Sequence, residues 1–553
     1  MTGSLTGPRP GSVTDTMADA RTGQLPDVLG GQLPEALADP AASQVTIPVM
    51  RPWLGAQEAV AAAAAVLSGW VAQGPRVAEF EEAFAAAIGT QHAVALSSCT
   101  AALHLALIAA GVGPGDEVVV PSLSFIATAN AARYVGAQPV FADVEYATQN
   151  LTPGTVEPHL SGRTRAVILV DQAGVPADLD GMRALCEPRG ITVIEDAACA
   201  AGSTYRGRPA GASASLAAYS FQPSKLITTG EGGMLTTSNG AVADRLRRLR
   251  EHGMDVGAAR RQVSRQPLAE RYLETGFNFR MTDVQAAIGL VQLRKLGQLV
   301  ARRRQLAMRY QDLLTDDPGL ITMGDPDHGT TNFQSFWVLL PADFTVGRDA
   351  LLRRLADAGI GARRGIMAAH TEPAYAGHSG APLPVTERLS ASSLILPLYH
   401  EMTEADQDLV ISVIRAAARA GAPERSAAGA PAPRHRRGTD LMPALIRRAA
   451  GADRPGHAEP RGDQGGRPTG PAQRGGQGGR HSGPAPREVP VSRPPGSAPR
   501  GDQGGRPTGP APRGDQVSRP TGPAPRGDQG GRPLGAAQRG DRGDRPPGSA
   551  PRI

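Results

Sequence analysis

The chain changes character near residue 421, and that break decides how much of it can fold. Beyond it Gly, Pro, Arg, Ala and Gln dominate, and units such as Arg-Gly-Asp-Gln-Gly-Gly-Arg-Pro-Thr-Gly-Pro-Ala recur with small variations. Such a segment buries too little apolar surface to offset the entropy of ordering it, so residues 421–553 are expected to be a disordered Arg/Gly/Pro-rich repeat tail. Residues 1–44, rich in Gly, Pro, Ala, Asp and Thr without sustained periodicity, are expected to be disordered too. Residues 45–420 remain, enough for a large domain at 45–300 and a smaller one at 301–420.

Charge divides the same way. The tail alone carries about +12 against +6 for the whole chain, so residues 1–420 together are close to −6. The basic balance is therefore not a footprint on the folded surface, and a nucleic-acid function for the core loses its support. Arg-Gly-Asp triplets in the tail arise from a repeat built of those residues, which undercuts an adhesion reading. The short apolar island at 440–450 is either a docking element or a fragment of nascent helix. Three cysteines, Cys99, Cys186 and Cys199, make no disulfide framework and lack the spacing of a metal site. A reducing cytoplasm is expected, without a membrane anchor, because no secretory leader or 18-residue apolar run is present.

Within the body, helical and strand patterns alternate. Helices are expected over 56–68, 76–88, 100–110, 125–135, 178–188, 240–251 and 282–311. Strands fall at 92–96, 117–121, 139–144, 166–171 and 191–196, with a further pair within 214–238. This is an α/β layering around a mostly parallel sheet, followed over 332–420 by strand, helix, loop and helix.

Arginine fills nearly every cationic position, and only Lys225 and Lys295 are lysines. A guanidinium stays protonated and forms no imine, whereas an amine can lose its proton and attack a carbonyl. Lys225 lies in the polar, glycine-rich run Ser-Phe-Gln-Pro-Ser-Lys-Leu-Ile-Thr-Thr-Gly-Glu-Gly-Gly, which suits chemistry. Lys295, in Val-Gln-Leu-Arg-Lys-Leu-Gly, reads as a solvated helix face.

Ligands of such sheets lie beyond the carboxyl ends of the strands, where helix N-termini present free N–H groups. Three segments converge on that edge. Ser97 to Leu103 is either a phosphate seat or an ordinary hydroxyl helix cap. Glu195-Asp196 ends a buried strand and is either functional or another cap. The glycines of the Lys225 loop let backbone approach a ligand closely. A phosphate seat, a carboxylate for a pyridinium nitrogen about thirty residues before a lysine, and that lysine are what pyridoxal 5'-phosphate requires. Gly111 to Asp116 superficially suggests a nucleotide loop, but it follows a helix and precedes a strand, so it is a turn.

The motifs Ser98-Cys99-Thr100-Ala101-Ala102-Leu103-His104-Leu105-Ala106-Leu107, Pro121-Ser122-Leu123-Ser124-Phe125-Ile126-Ala127-Thr128-Ala129-Asn130, Glu195-Asp196-Ala197-Ala198, Ser220-Phe221-Gln222-Pro223-Ser224-Lys225, Gly230-Glu231-Gly232-Gly233 and Gly276-Phe277-Asn278-Phe279-Arg280-Met281-Thr282-Asp283 stand in a single order. In this the chain resembles the DegT/DnrJ/EryC1/StrS family of sugar aminotransferases over nearly all of residues 47–420. The resemblance implies the fold-type-I, aspartate-aminotransferase-like fold of pyridoxal-phosphate enzymes. It makes Lys225 the lysine that carries the cofactor and later moves the proton, and Asp196 the partner of the pyridine nitrogen. Thr100, Ala101 and Ser220 are implied as phosphate ligands, Phe125 as the ring stacked on the cofactor, and Asn278 as reaching the phosphate of a neighbouring subunit in a homodimer with shared sites. Arg280 is either close to that site or a structural ion-pair residue.

Three departures stand out. Cys99 replaces a common glycine, Gln222 replaces a frequent histidine, and Cys199 occupies a position that in relatives is often a glutamine contacting the cofactor's O3'; a thiol is a poorer donor there. Lysine rather than histidine at 225 favours transamination over dehydration. The segment Arg363 to His370 with Tyr375 is either a grip on a diphosphate or an exposed charged turn. The implied reaction is ping-pong transfer of an amino group from an amino acid, L-glutamate by resemblance, to a keto sugar, a nucleotide-linked keto-deoxy hexose. A keto-cyclitol of an antibiotic pathway is the alternative substrate, and a cofactor-binding regulator without turnover the alternative class.

Overall fold

A computed structural model describes residues 45–314, 318–377 and 380–420. The expectations for 1–44 and for the tail, with its apolar island, lie outside the described residues. The first five strands are β1 His92–Leu96, β2 Glu117–Pro121, β3 Gln138–Ala142, β4 Thr164–Val170 and β5 Thr192–Asp196. A two-residue hairpin, β6 Thr204–Tyr205 and β7 Arg208–Pro209, precedes β8 Leu216–Ser220 and β9 Gly233–Thr237. Seven of these form one sheet in the order β1-β9-β8-β5-β4-β2-β3. Only β9 runs against its neighbours, so the sheet is mostly parallel, as expected.

Runs such as Val118-Val119-Val120 and Ile168-Leu169 are buried without alternation because both sheet faces are covered. On one face Phe84, from helix Pro75–Ile88, meets Tyr219 of β8 edge-on at 5.0 Å and 76°. On the other, Leu103 and Leu107 of helix Cys99–Ala109 pack with Leu246 and Leu249 of helix Gly240–Leu249. Asp283 starts the helix Pro75–Ile88 from far along the chain. Its carboxylate, fully buried, accepts from the N–H groups of Gly74 (2.8 Å), Val77 (3.0 Å) and Arg76 (3.1 Å). An anion at a helix N-terminus satisfies donors that have no partner inside the helix.

Asp283 also opens the 32-residue helix Asp283–Leu314, which runs unbroken through the boundary expected at residue 300. Beyond it come β10 Ile321–Thr322, β11 Gly329–Thr330 (paired with β6), β12 Phe336–Leu339, β13 Arg363–Arg364 and β14 Ser393–Leu396. A second, antiparallel sheet has the order β10-β12-β14-β13. Leu351 and Leu355 of helix Arg348–Asp357, and Val410 and Ile414 of helix Glu404–Arg419, cover it. The loop expected between those helices contains helix Pro384–Ser392 and β14, elements too short to leave a periodic trace.

Lys295 is not on a solvated face. Its Nζ lies 2.6 Å from buried Glu58, whose carboxylate also accepts from Gln292 at 2.8 Å, and it stands 4.7 Å above the Trp53 ring. The partners come from residues distant in sequence, which helical spacing cannot register.

Candidate active site

Asp196, at the carboxyl end of β5, is the buried acid of the site. The Thr128 hydroxyl donates to its Oδ2 at 3.0 Å and the Ala198 N–H to its Oδ1 at 3.2 Å. Thr128 sits on helix Ala127–Tyr134 after β2, and its own hydroxyl meets Ser124 Oγ at 2.9 Å. Burial raises the Asp196 carboxyl above its ordinary range, opposed by Thr128, the Ala198 N–H and Lys225. A carboxylate held under strain in this way is stabilised by a facing cation.

Lys225 follows β8 in a turn closed by its own N–H to the Gln222 carbonyl at 2.8 Å. Its Nζ lies 3.2 Å from Cys199 Sγ. Burial disfavours the ammonium, Cys199, Cys99 and Asp196 favour it, and the net direction is up. Burial, with Asp196 alongside, also pushes the Cys99 thiol well above its ordinary value, so at neutral pH Cys99 is uncharged. The part of the upward push that needs a Cys99 thiolate is then absent.

The loop bearing Cys199 is fixed by fully buried Asn332, whose Nδ2 donates to the carbonyls of Cys199 (2.7 Å) and Ala201 (2.8 Å). Gly174, at φ +93°, makes room for it, since a Cβ there would stand 1.9 Å from Asn332 Oδ1. Gln334 ties the Lys225 loop to the same region by donating to the Ser224 carbonyl at 2.7 Å.

Ser98 caps helix Cys99–Ala109 by accepting from the Ala101 N–H at 3.1 Å. Thus the hydroxyl cap is real and takes the Ala101 N–H, while Thr100 stands ahead of it at the helix start, where an N–H has no partner inside the helix. Thr100 and Ala101 line a cleft of about 410 Å³ together with Ser98, His104, Tyr134 and Phe279. Gly233, first residue of β9, lets this seat close on the sheet: a Cβ would fall 2.3 Å from Ser98 C and 2.5 Å from Cys99 N. Ser220 ends β8 beside it.

The structure therefore brings Asp196, Lys225 and Cys199 together, with Thr100, Ala101 and Ser220 on the same strand-end edge. Phe125, on the loop after β2, is 64% exposed. Asn278 is exposed in a segment that runs past the seat, where Ser97 N–H donates to the Phe279 carbonyl at 2.8 Å. Arg364 lies exposed and bonds Asp349 at 3.0 Å. His370 Nδ1 meets Ser122 Oγ at 2.6 Å, and the Tyr375 hydroxyl donates to Asn130 at 2.8 Å, so this segment packs onto the loop that carries Phe125. Sequence reasoning missed Thr128, Asn332 and the packing role of Gly233. The first and third lay inside recognised motifs, but Asn332 left no signal. A larger open cleft of about 980 Å³ lies at the opposite sheet edge, and its Arg206 and Arg208 are occupied by Asp180 and Ser213.

The donor set fits pyridoxal phosphate: a buried carboxylate for a ring cation, an amine for the aldehyde and a helix start for the phosphate. The profile of the DegT/DnrJ/EryC1/StrS aminotransferase family matches residues 53–415. The aminotransferase TlmJ from Streptoalloteichus hindustanus is 38% identical, with a TM-score of 0.63, over 68% of this chain and 99% of that one. DesV from S. venezuelae is 34% identical with a TM-score of 0.61, over 68% and 98%. Helicobacter pylori PseC, an aminotransferase of pseudoaminic acid biosynthesis, is 25% identical with a TM-score of 0.63, over 68% and 99%. This chain belongs to that family and is a pyridoxal-phosphate-dependent sugar aminotransferase.

Proposed function

We propose that this aminotransferase takes its amino group from L-glutamate and delivers it to a nucleotide-linked keto-deoxy hexose in two half-reactions. The observation that carries the site assignment is the placement of Lys225 and Asp196 at one strand-end edge, the amine beside a thiol and the carboxylate held by Thr128. The bound cofactor supplies an aldehyde that accepts the amine and a ring that accepts electrons. Asp196 holds the ring nitrogen in its protonated form. Lys225 would hold the aldehyde carbon and would supply the amine that moves a proton at the substrate carbon. Thr100, Ala101 and Ser220 hold the phosphate, Phe125 packs on the ring and Asn278 completes the phosphate site of a second subunit, so the working unit is a homodimer. Cys199 stands beside the lysine and would be the residue available to the cofactor's O3'.

Residues 45–300 and 301–420 act as large and small domains, and the enzyme works in the cytoplasm. No described helix is long and apolar enough to cross a membrane. Turnover of a panel of nucleotide-linked keto sugars and cyclitol ketones, with L-glutamate as donor, tests the substrate. Amination of a nucleotide sugar, with 2-oxoglutarate released in equal amount, is the expected result. Activity confined to the cyclitol ketones would overturn the sugar assignment, and failure of glutamate alongside success of another amino acid would replace the donor.

A further inference from the structure

Three groups able to react as nucleophiles share the strand-end edge. Lys225 Nζ is 3.2 Å from Cys199 Sγ, and Cys99 is close enough to both to shift its ionisation. The pairing of amine and sulfur is direct. Cys199 is partly exposed, so a small oxidant can reach it, and its backbone is held by Asn332. We propose that Cys199 and Lys225 form an oxidation-sensitive pair, in which a peroxide joins Sγ to Nζ and takes the lysine out of use.

The chemistry balances with hydrogen peroxide as oxidant. The sulfur attacks one peroxide oxygen, the O–O bond breaks, and Cys199 becomes a sulfenic acid with release of water. The sulfur has lost two electrons and the peroxide has gained them. Lys225, having given its ammonium proton to solvent, then attacks the sulfur; the S–O bond breaks, a second water leaves, and an N–S bond remains. An external thiol reverses the step by attacking sulfur and displacing the amine. Cys99 competes poorly for the sulfenic acid, because burial and Asp196 keep it in the thiol form and the thiolate is the nucleophile. Cys186, on helix Leu179–Cys186, is buried in a hydrophobic cluster away from this edge, with its thiol pushed up to about 11.

The consequence for catalysis rests on the proposed role of Lys225, while the bond itself rests on the observed contact. With pyridoxal phosphate bound, the Lys225 amine would be engaged and so protected. Pyridoxamine 5'-phosphate leaves the amine free, so the enzyme is vulnerable between its half-reactions.

The full-length chain, loaded with either cofactor form and treated with hydrogen peroxide, is read by intact mass and peptide mapping. The expected product in the pyridoxamine phosphate form is a chain about 2 Da lighter, with a peptide containing Cys199 linked to one containing Lys225, released by dithiothreitol. Cys99→Ser keeps the cross-link and Cys199→Ser abolishes it. A Cys99–Cys199 disulfide, a sulfinic acid at Cys199 with Lys225 unmodified, or no change at these peptides would each overturn the proposal. Equal cross-linking of the pyridoxal phosphate form would uphold the pair and remove Lys225 as the cofactor lysine, which separates the two failures.

Discussion

Lys295 and Lys225 are both drawn out of bulk solvent, yet their neighbours differ in kind. Around Lys295 a carboxylate stands at 2.6 Å, an indole lies beneath the ammonium, and His400 stacks on that indole at 3.8 Å. The carboxylate and the indole face are both partners that suit a cation. Around Lys225 the contact is a thiol, and Asp196 acts from further off while accepting from Thr128 and Ala198. The carboxylate beside Lys295 completes a buried ion pair, whereas the sulfur beside Lys225 is itself a nucleophile. Lys295 is placed to hold the fold, and Lys225 is the lysine proposed for covalent chemistry.

Substituting each lysine in turn tests that contrast most strongly. Lys225→Ala should lower kcat by several orders of magnitude, because the covalent anchor and the proton carrier disappear together. Its unfolding midpoint should stay close to wild type. Lys295→Met should do the reverse, keeping kcat while costing about 3–5 kcal/mol of stability in denaturant titrations, since it strands buried Glu58. Comparable loss of kcat in both variants would erase the distinction.

The same contrast has a pH signature. Burial works against the Glu58 carboxylate, but Lys295, Gln292 and the Gly55 N–H outweigh it, and the carboxyl sits below its ordinary value. Its contribution is therefore present above about pH 4.5, the unfolded value, and is lost as pH falls through the lower folded one. In Lys295→Met burial dominates, so the carboxyl should move up and stability should rise on mild acidification. Unfolding titrations of both proteins across that range read the sign.

Thr128→Val sharpens the other half. Removing a hydrogen bond to a charged group costs about 1.5–3 kcal/mol, so pyridoxal phosphate should bind at least about ten-fold more weakly. Fluorescence titration would show it, and unchanged affinity would mean that Thr128 does not hold Asp196 for the cofactor. The smallest effect is expected from deleting residues 423–553, which should leave cofactor absorbance and the oligomer intact by size-exclusion chromatography.

Legibility followed the reach of each signal. Strands β1 and β2 and helix Pro75–Ile88 have strong local patterns, and their expected limits fall within a residue of those observed. Glu195-Asp196 and the Lys225 loop were readable as a pair because cofactor chemistry fixes their order. Asn332 was not, because its partners Cys199 and Ala201 meet it only in the folded chain. Lys295 was misread for that reason: a heptad-like surface looks solvated until Glu58 arrives from another helix. Helix Ala258–Val263, six residues with no side-chain cap at its N-terminus, lies below the length at which periodicity speaks.

The visible spectrum of purified wild type and Lys225→Ala with pyridoxal phosphate, before and after L-glutamate, tests the central assignment most directly. The expected result is a borohydride-reducible band in wild type that disappears as glutamate converts the cofactor to its amine form, and no such band in the variant. The same reducible band persisting in Lys225→Ala would show that the cofactor is carried elsewhere, and the assignment of Lys225 would fall.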